Sequence, residues 1–335
     1  MIAVLKENAS PERCEMLISW LKKQGLDVHI SKGEYRTVIG LIGDTQNVDV
    51  DMLSSLDIVE SVTRVSDPFK AVGRKFHPED SVIHIGESDL AIGGGHFAVI
   101  AGPDAVESYE QAAVVATAVK MSGAACFFGG TFLPRTSPYD FRGLGAEGLK
   151  ILSAIKKETG MPIISEVKDI RSLPLYENVD VIQIGARNVQ NFDLLSEVSR
   201  MGKPVLLKRG PACTVRELLM SAEHILAGGN EKVILCERGI CTFDNAYVRD
   251  VLDLSAVPVL HELTHLPVVV DPGHAVGRST LVESMAKAAV AAGADGLVID
   301  VHNDPVHALC SGAHSITPEE FSHLMQKITK LREVL

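Results

Sequence analysis

The chain has 335 residues, 46% of them hydrophobic, and a formal net charge of −11. The length suggests two domains or one large α/β barrel with an appendage, and the acidic balance argues against broad nucleic-acid binding. No apolar run reaches the ~20 residues of a membrane span, no signal-peptide core is present, and the six cysteines are irregularly spaced, as in reduced proteins. We therefore expect a cytoplasmic α/β protein.

Residues 1–66 are predicted to form a small domain with the element order βαββαβ, which is the ferredoxin-like plan. Its first helix begins with Ser10 as the cap and Pro11 as the first residue, and ends near Gln24. A second, shorter helix is expected near 50–56. The strands are expected at 2–5, 28–31, 37–42 and 59–65. A passive dimerisation module and a regulatory module fit this pattern equally well.

Residues 67–95 are expected to be a connector that contains a hairpin. Over residues 96–335 one unit recurs: a short apolar run, a polar or glycine-rich cluster, and a helical stretch. Continuous apolar strands that alternate with helices predict a (β/α)8 TIM barrel. A doubly wound sheet is the alternative, but no GxGxxG turn follows the first strand. The apolar runs lie at 97–101, 125–128, 162–165, 181–184, 204–207, 232–236, 267–270 and 296–299.

Cations follow several of the predicted strands. In a barrel all strand ends converge on one mouth, where the active site lies. Arg187, Lys208 and Arg238 follow strands four, five and six, and such a group suits a carboxylate and a phosphate together. We expect Arg209, whose side chain alternates with that of Lys208, to form a structural salt bridge instead.

The long loop after strand two carries a further cation. Arg135 lies there beside the hydroxyl groups of Thr136 and Ser137. A guanidinium with hydroxyls and free backbone N–H groups predicts a second phosphate site.

A metal site is predicted from the ends of strands one, seven and eight. Asp104, His274 and Asp300 follow these strands, which are neighbours once the barrel closes. Two carboxylates and one imidazole favour Mn²⁺, Fe²⁺ or Mg²⁺ over a thiolate zinc site. The alternative is a histidine that is only hydrogen-bonded.

Several segments together carry a family resemblance. They are IAGPDAVES, PRTSPYDFRGLG, VIQIGARNVQNF, KPVLLKRG, ILCERG, LDLSAVP, VDPGH and VHNDP. Through them the chain resembles the 3-deoxy-D-arabino-heptulosonate 7-phosphate (DAHP) synthases, in the class with an N-terminal ferredoxin-like domain. HISKGEYRTVIGLIGD and RKFHPED, nearer the N-terminus, are similar to the same class.

The resemblance implies an aldol-type condensation of phosphoenolpyruvate with erythrose 4-phosphate, the first step of the shikimate pathway to the aromatic amino acids. It implies phosphoenolpyruvate at Arg187, Lys208 and Arg238, and the phosphate of the aldose at Arg135 and Thr136. It also implies a homotetramer and an aromatic effector at the N-terminal domain.

For the chemical step, the resemblance implies a divalent metal that polarises the aldehyde carbonyl. His274 is expected among its ligands, with Asp104 and Asp300. We expect Lys208, Glu166 and His274 to take part in catalysis.

Several positions depart from the family pattern, among them Cys241 in place of an Arg and the segment YVRDV before LDLSAVP. The family's metal-binding Cys, Glu and Asp are Asp104, Asp300 and Ser311 here, its loop Lys is Leu133, and an Arg is Phe128. Losing one such catalytic cation costs about 10²–10⁴ in rate. Three hypotheses follow: a DAHP synthase with an altered site, a barrel with a different aldehyde partner or a lyase reaction, and a non-catalytic, metabolite-binding regulatory protein. The first is the leading hypothesis.

Overall fold

The computed structural model of the chain describes residues 1–7, 9–33, 36–43, 45, 48–63, 69–86 and 89–335. Two compact units are present, residues 1–80 with 262–265 and residues 81–261 with 266–335. The boundary predicted at residue 66, the end of the strand predicted over 59–65 and the first residues of the connector lie outside the described residues. The domain limits therefore stay predictions.

The first unit contains a four-stranded sheet with the order β2-β3-β1-β4, in which all neighbouring strands are antiparallel. Its helices pack on the sheet through a core that includes Leu5, Leu21, Ile39 and Leu53. This is the predicted ferredoxin-like order. The elements are β1 (Ile2–Leu5), α1 (Pro11–Lys23), β2 (Asp27–Lys32), β3 (Thr37–Ile42), α2 (Val50–Ser54) and β4 (Val59–Thr63).

The second unit is a closed barrel of eight parallel strands, which confirms the predicted fold class. A short hairpin precedes it, made of β5 (Ile83–His84) and β6 (Ala91–Ile92). The barrel strands are β7 (Ala98–Gly102), β8 (Cys126–Phe128), β9 (Ile163–Val167), β10 (Val181–Ile184), β11 (Val205–Lys208), β12 (Val233–Glu237), β13 (Val268–Val270) and β14 (Gly296–Asp300).

Helices follow the strands and cover the barrel. α6 and α10 each begin with a complete capping box, Thr214 with Glu217 and Thr317 with Glu320. None of the helices in the described ranges is long and apolar enough to cross a membrane. The helices are α3 (Tyr109–Met121), α4 (Ala146–Thr159), α5 (Phe192–Arg200), α6 (Val215–Ala227), α7 (Ala256–Leu263), α8 (Pro272–Val276), α9 (Ser279–Ala291) and α10 (Pro318–Arg332).

The barrel interior is filled with aliphatic side chains from successive strands, including Ile100, Ile164, Leu206 and Ile234. Close approach of two strands at the mouth depends on Gly102, because a Cβ there would lie 1.9 Å from the carbonyl oxygen of Phe128. The packed interior fixes the strand register, and the register places the strand ends at one mouth.

Leu206→Ala should lower the free energy of unfolding by about 2–5 kcal/mol, because it opens a cavity among fully buried neighbours. Urea denaturation followed by circular dichroism measures this. Met121→Ala is the control, since Met121 is 84% exposed and its change should stay within about 0.5 kcal/mol. Equal effects of both substitutions would contradict the assigned core.

Candidate functional site

A cavity of about 340 Å³ opens at the mouth of the barrel. Its walls come from the segments that follow the strands, as the barrel topology predicts. The charged side chains that line it are Asp104, Arg135, Glu166, Arg187, Arg238, Arg249, Asp250 and His274.

The imidazole of His274 lies between three carboxylates. Its Nδ1 is 3.0 Å from Oδ2 of Asp271 and 3.0 Å from Oδ2 of Asp300, and its Nε2 is 3.4 Å from Oδ1 of Asp104. Asp271 is also the N-cap of α8, and its side chain accepts a hydrogen bond from the backbone N–H of His274. Burial by itself lowers the pKa of His274, but the charges of Asp271 and Asp300 outweigh it and raise the pKa well above its usual value.

Asp104 is held by the loop after β14. Its Oδ2 accepts hydrogen bonds from Cys310 Sγ at 2.7 Å and Ser311 Oγ at 2.5 Å. Burial raises the pKa of Asp104, but the contacts with His274 and these donors lower it well below its usual value. Ser311 has φ +58°, the one positive φ outside glycine among the described residues. Such a left-handed residue marks a segment constrained by its surroundings.

His314, in the same loop, is buried beside Asp300. Its Nε2 lies 3.0 Å from Asp300 Oδ2, and its Nδ1 accepts a hydrogen bond from Arg249 Nη2 at 3.0 Å. Gly273 makes room for the ring, because a Cβ there would lie 3.2 Å from His314 Cδ2. Ligand atoms of His274, Asp300 and His314 all lie within 4.8 Å of one another.

These buried atoms fit a cation. His274 Nδ1, both carboxylate oxygens of Asp300 and His314 Nε2 have no partner with hydrogen-bond geometry in the part of the chain that the structure describes. Unpartnered buried polar atoms are costly, and oxygen and imidazole donors together suit a divalent metal. Asp104 lies at the other nitrogen of His274, so the predicted set of Asp104, His274 and Asp300 is split between the two sides of one ring.

Two of the predicted phosphoenolpyruvate ligands form buried ion pairs. Lys208 Nζ is 2.6 Å from Asp271 Oδ2 and 5.5 Å from the ring centroid of Phe128, and Lys208 does not line the cavity. Burial lowers the pKa of Lys208, but the charge of Asp271 outweighs it and raises the pKa. Arg238 lines the cavity and pairs with Asp250 at 2.8 Å.

The salt bridge expected for Arg209 is confirmed. Its Nη1 lies 2.8 Å from Glu237 and 2.9 Å from Asp253. These two ion pairs keep the guanidinium of Arg209 away from the cavity, which it does not line.

The other predicted cations face the cavity more freely. Arg187 is exposed, and its guanidinium makes no hydrogen bond or ion pair with the side chains and backbone groups of the described residues. Arg135 donates Nε to the carbonyl oxygen of Phe141 at 3.1 Å, which leaves its terminal nitrogens available. Thr136 is exposed and does not line the cavity. Leu133 is buried in the cavity wall, against Ala105 and Cys310.

Glu166 lies in β9 at the edge of the cavity. Gly185 leaves room for it, because a Cβ there would lie 2.0 Å from Glu166 Oε1. Burial raises the pKa of Glu166 to about 7, against the charge of Lys208 and together with that of Asp104. Glu166 can therefore give or take a proton near neutral pH.

The sequence missed Arg249, Cys310 and His314. All three follow barrel strands, so the rule that led to the other site residues also applies to them. The sequence prediction considered only the residues directly after each strand, whereas each of these three lies nine or more residues beyond its strand. His302, two residues after Asp300, has its Nε2 3.4 Å from Oε1 of Glu107.

Comparison with known proteins gives the family. Residues 78–334 match the DAHP synthetase I family, and residues 1–67 match the DAHP synthase ferredoxin-like domain. The chain belongs to the DAHP synthetase I family. It is 47% identical to a phospho-2-dehydro-3-deoxyheptonate aldolase of Thermotoga maritima, over all of this chain and 98% of that protein.

More distant relatives and solved structures agree with this family. A 2-dehydro-3-deoxyphosphooctonate aldolase of Desulfotalea psychrophila is 34% identical over 73% of this chain and 93% of its own length. A crystal structure of the DAHP synthase of Thermotoga maritima superposes with a TM-score of 0.78 at 46% identity, covering 99% of this chain and 97% of that one.

Replacing Glu166 should change how stability depends on pH. In the folded, metal-free protein Glu166 keeps its proton up to about pH 7, whereas its ordinary pKa is 4.5. Its contribution is therefore complete below about pH 4.5 and is lost as pH rises through 7. Between pH 5 and 8 the parent should lose about 2–3 kcal/mol of unfolding free energy relative to Glu166→Gln.

Urea unfolding at pH 5, 6, 7 and 8 measures this difference. Glu147→Gln, at an exposed position on α4, is the control and should follow the parent. Parallel curves for the parent and Glu166→Gln would mean that the carboxyl titrates normally.

Proposed function

We propose that this chain condenses phosphoenolpyruvate with erythrose 4-phosphate and water to give DAHP and inorganic phosphate. The observation that carries the proposal is the cavity itself, in which guanidinium groups surround a buried imidazole and carboxylates. Such a cavity suits two phosphorylated substrates, one of which also has a carboxylate. The relative named a phospho-2-dehydro-3-deoxyheptonate aldolase supports the same reaction.

In this proposal Arg187 and Arg238 bind the phosphate and carboxylate of phosphoenolpyruvate. Arg135, which lines the cavity, binds the phosphate of the aldose, and its neighbour Thr136 offers a hydroxyl donor to the same phosphate. Lys208 lies behind the cavity wall and contributes indirectly. Its ammonium pairs with Asp271 and keeps that carboxylate ionised, and Asp271 in turn contacts the imidazole of His274.

The proposal includes a divalent cation, Mn²⁺, Fe²⁺ or Mg²⁺, in the cluster of unpartnered donors. His274 and Asp300 would hold it, while Asp104, the third ligand predicted from the sequence, lies at the other nitrogen of His274. When bound, the cation supplies Lewis-acid polarisation of the aldehyde carbonyl.

Carbon–carbon bond formation turns the aldehyde carbonyl into a hydroxyl, which requires a proton. Glu166 lines the cavity and has a pKa of about 7. We assign it as the general acid that delivers this proton from a carboxyl oxygen. Leu133 carries no charge to share this task. The homotetramer, the aromatic effector and the cytoplasmic location implied by the resemblance belong to the same proposal.

Turnover is the direct test. The protein is reconstituted separately with Mn²⁺, Fe²⁺, Mg²⁺ and Zn²⁺. It should consume phosphoenolpyruvate when erythrose 4-phosphate is added. The loss of the ultraviolet absorbance of phosphoenolpyruvate measures this consumption. Binding of phosphoenolpyruvate without turnover with any metal would refute the proposed reaction and favour a different aldehyde partner or a regulatory role.

Arg187→Ala should weaken phosphoenolpyruvate binding by about tenfold or more, because a charge-assisted hydrogen bond contributes about 1.5–3 kcal/mol. Isothermal titration calorimetry measures the affinity. Arg216→Ala is the matched control, since Arg216 is exposed on α6 and does not line the cavity. Equal affinities of both variants would remove Arg187 from the substrate site.

A further inference from the structure

The cluster beside the cavity contains a donor that the proposed metal set lacks. His314 is 1% exposed and Asp300 is 3% exposed. The facing atoms of these two residues and of His274 have no partner with hydrogen-bond geometry among the described residues. Buried atoms of three side chains, without hydrogen-bond partners among the described residues, therefore face one place and indicate a binding site there.

The spacing of the atoms supports a cation at that place. Asp300 Oδ2 is 3.0 Å from His274 Nδ1 and 3.0 Å from His314 Nε2. Two adjacent ligands of an octahedral ion with bonds of about 2.1 Å lie about 3.0 Å apart. In the metal-bound form both lone pairs point at the ion, so two such ligand atoms lie this close together without a hydrogen bond between them.

We propose that His314 is a protein ligand of the divalent cation, together with His274 and Asp300. The inference rests on the proposed function and extends its metal site. Two imidazoles and one carboxylate are a donor set that suits Fe²⁺ or Mn²⁺ and leaves positions for substrate oxygen. His274 contributes Nδ1, His314 contributes Nε2, and Asp300 contributes a carboxylate oxygen.

Asp104 has a different role in this arrangement. Once His274 binds through Nδ1, its Nε2–H faces Asp104 Oδ1 at 3.4 Å. Asp104 is then a positioning residue that orients the imidazole, as carboxylates beside metal-bound histidines do. Cys310 and Ser311 hold Asp104 in that position.

Arg249 makes the proposal testable. A guanidinium has no acceptor, so His314 Nδ1 must carry a lone pair while Arg249 donates to it. A neutral imidazole that binds a metal through Nε2 carries its proton on Nδ1. Metal binding therefore requires Arg249 to leave His314, and Arg249, which lines the cavity, is then available to anions. Cation and anion binding should strengthen each other.

The first experiment measures Mn²⁺ affinity and coordination by electron paramagnetic resonance on the full chain. His314→Gln keeps polar groups for Asp300 and Arg249 but removes the imidazole, and should weaken Mn²⁺ binding by about tenfold or more. Pulsed spectra should show two imidazole nitrogens on Mn²⁺ in the parent and one in His314→Gln. Two nitrogens retained in His314→Gln, or one in the parent, would overturn the proposal.

The second experiment measures how loss of Arg249 changes the Mn²⁺ affinity, because a metal-binding His314 and a merely hydrogen-bonded His314 predict changes in opposite directions. Arg249→Met should bind Mn²⁺ several-fold more tightly than Arg187→Met, which removes the same charge from the same cavity without touching His314. The alternative is that His314 only donates a hydrogen bond from Nε2 to Asp300, with Arg249 keeping the proton on that nitrogen. Loss of Arg249 would then let the proton of His314 move to Nδ1 and leave Asp300 without its donor. In that case Arg249→Met should bind Mn²⁺ more weakly than Arg187→Met.

A parent protein that retains no Mn²⁺ would overturn the inference, while phosphoenolpyruvate calorimetry would still report on the anion site. Metal bound as described, but without turnover, would instead count against the proposed reaction alone.

Discussion

One imidazole among three carboxylates is the arrangement on which the mouth of the barrel depends. Asp104, Asp271 and Asp300 surround His274 in a buried environment, where like charges repel strongly and are poorly solvated. The protein offsets them with Lys208 on Asp271 and with the raised pKa of His274 itself. A divalent cation bound through His274 Nδ1 would take the place of the imidazolium proton in this charge balance.

The loop after β14 ties this cluster together. Ser311, with its left-handed backbone, holds Asp104, and His314 reaches Asp300 only three residues later. The same loop presents Cys310, which packs against Leu133 in the cavity wall. Four of the positions that depart from the family pattern, Asp104, Leu133, Asp300 and Ser311, therefore lie in one contact network. A change at one of them alters the environment of the others.

The fold and the location of the site follow from local patterns. Parallel strands covered on both faces are continuous apolar runs, so each of the eight barrel strands lies within two residues of its prediction. The topology then requires the strand ends to meet, which brought Asp104, Glu166, Arg187 and His274 to one cavity. The same topology places Lys208 and Asp271 at strand ends, but their pairing depends on the direction of the two side chains, which the strand pattern does not give.

The sequence by itself determined the barrel, the ferredoxin-like unit and the family, because apolar periodicity, caps and motifs are local. Tertiary structure decided which charges neutralise one another and which face the cavity. Arg209 and Lys208 became interior ion pairs, while Arg187 remained exposed. Tertiary structure also placed His314 beside Asp300 and in hydrogen-bond contact with Arg249, which is 65 residues from His314 in the chain. Such contacts depend on loop paths and rotamers, which are set by packing and not by sequence spacing.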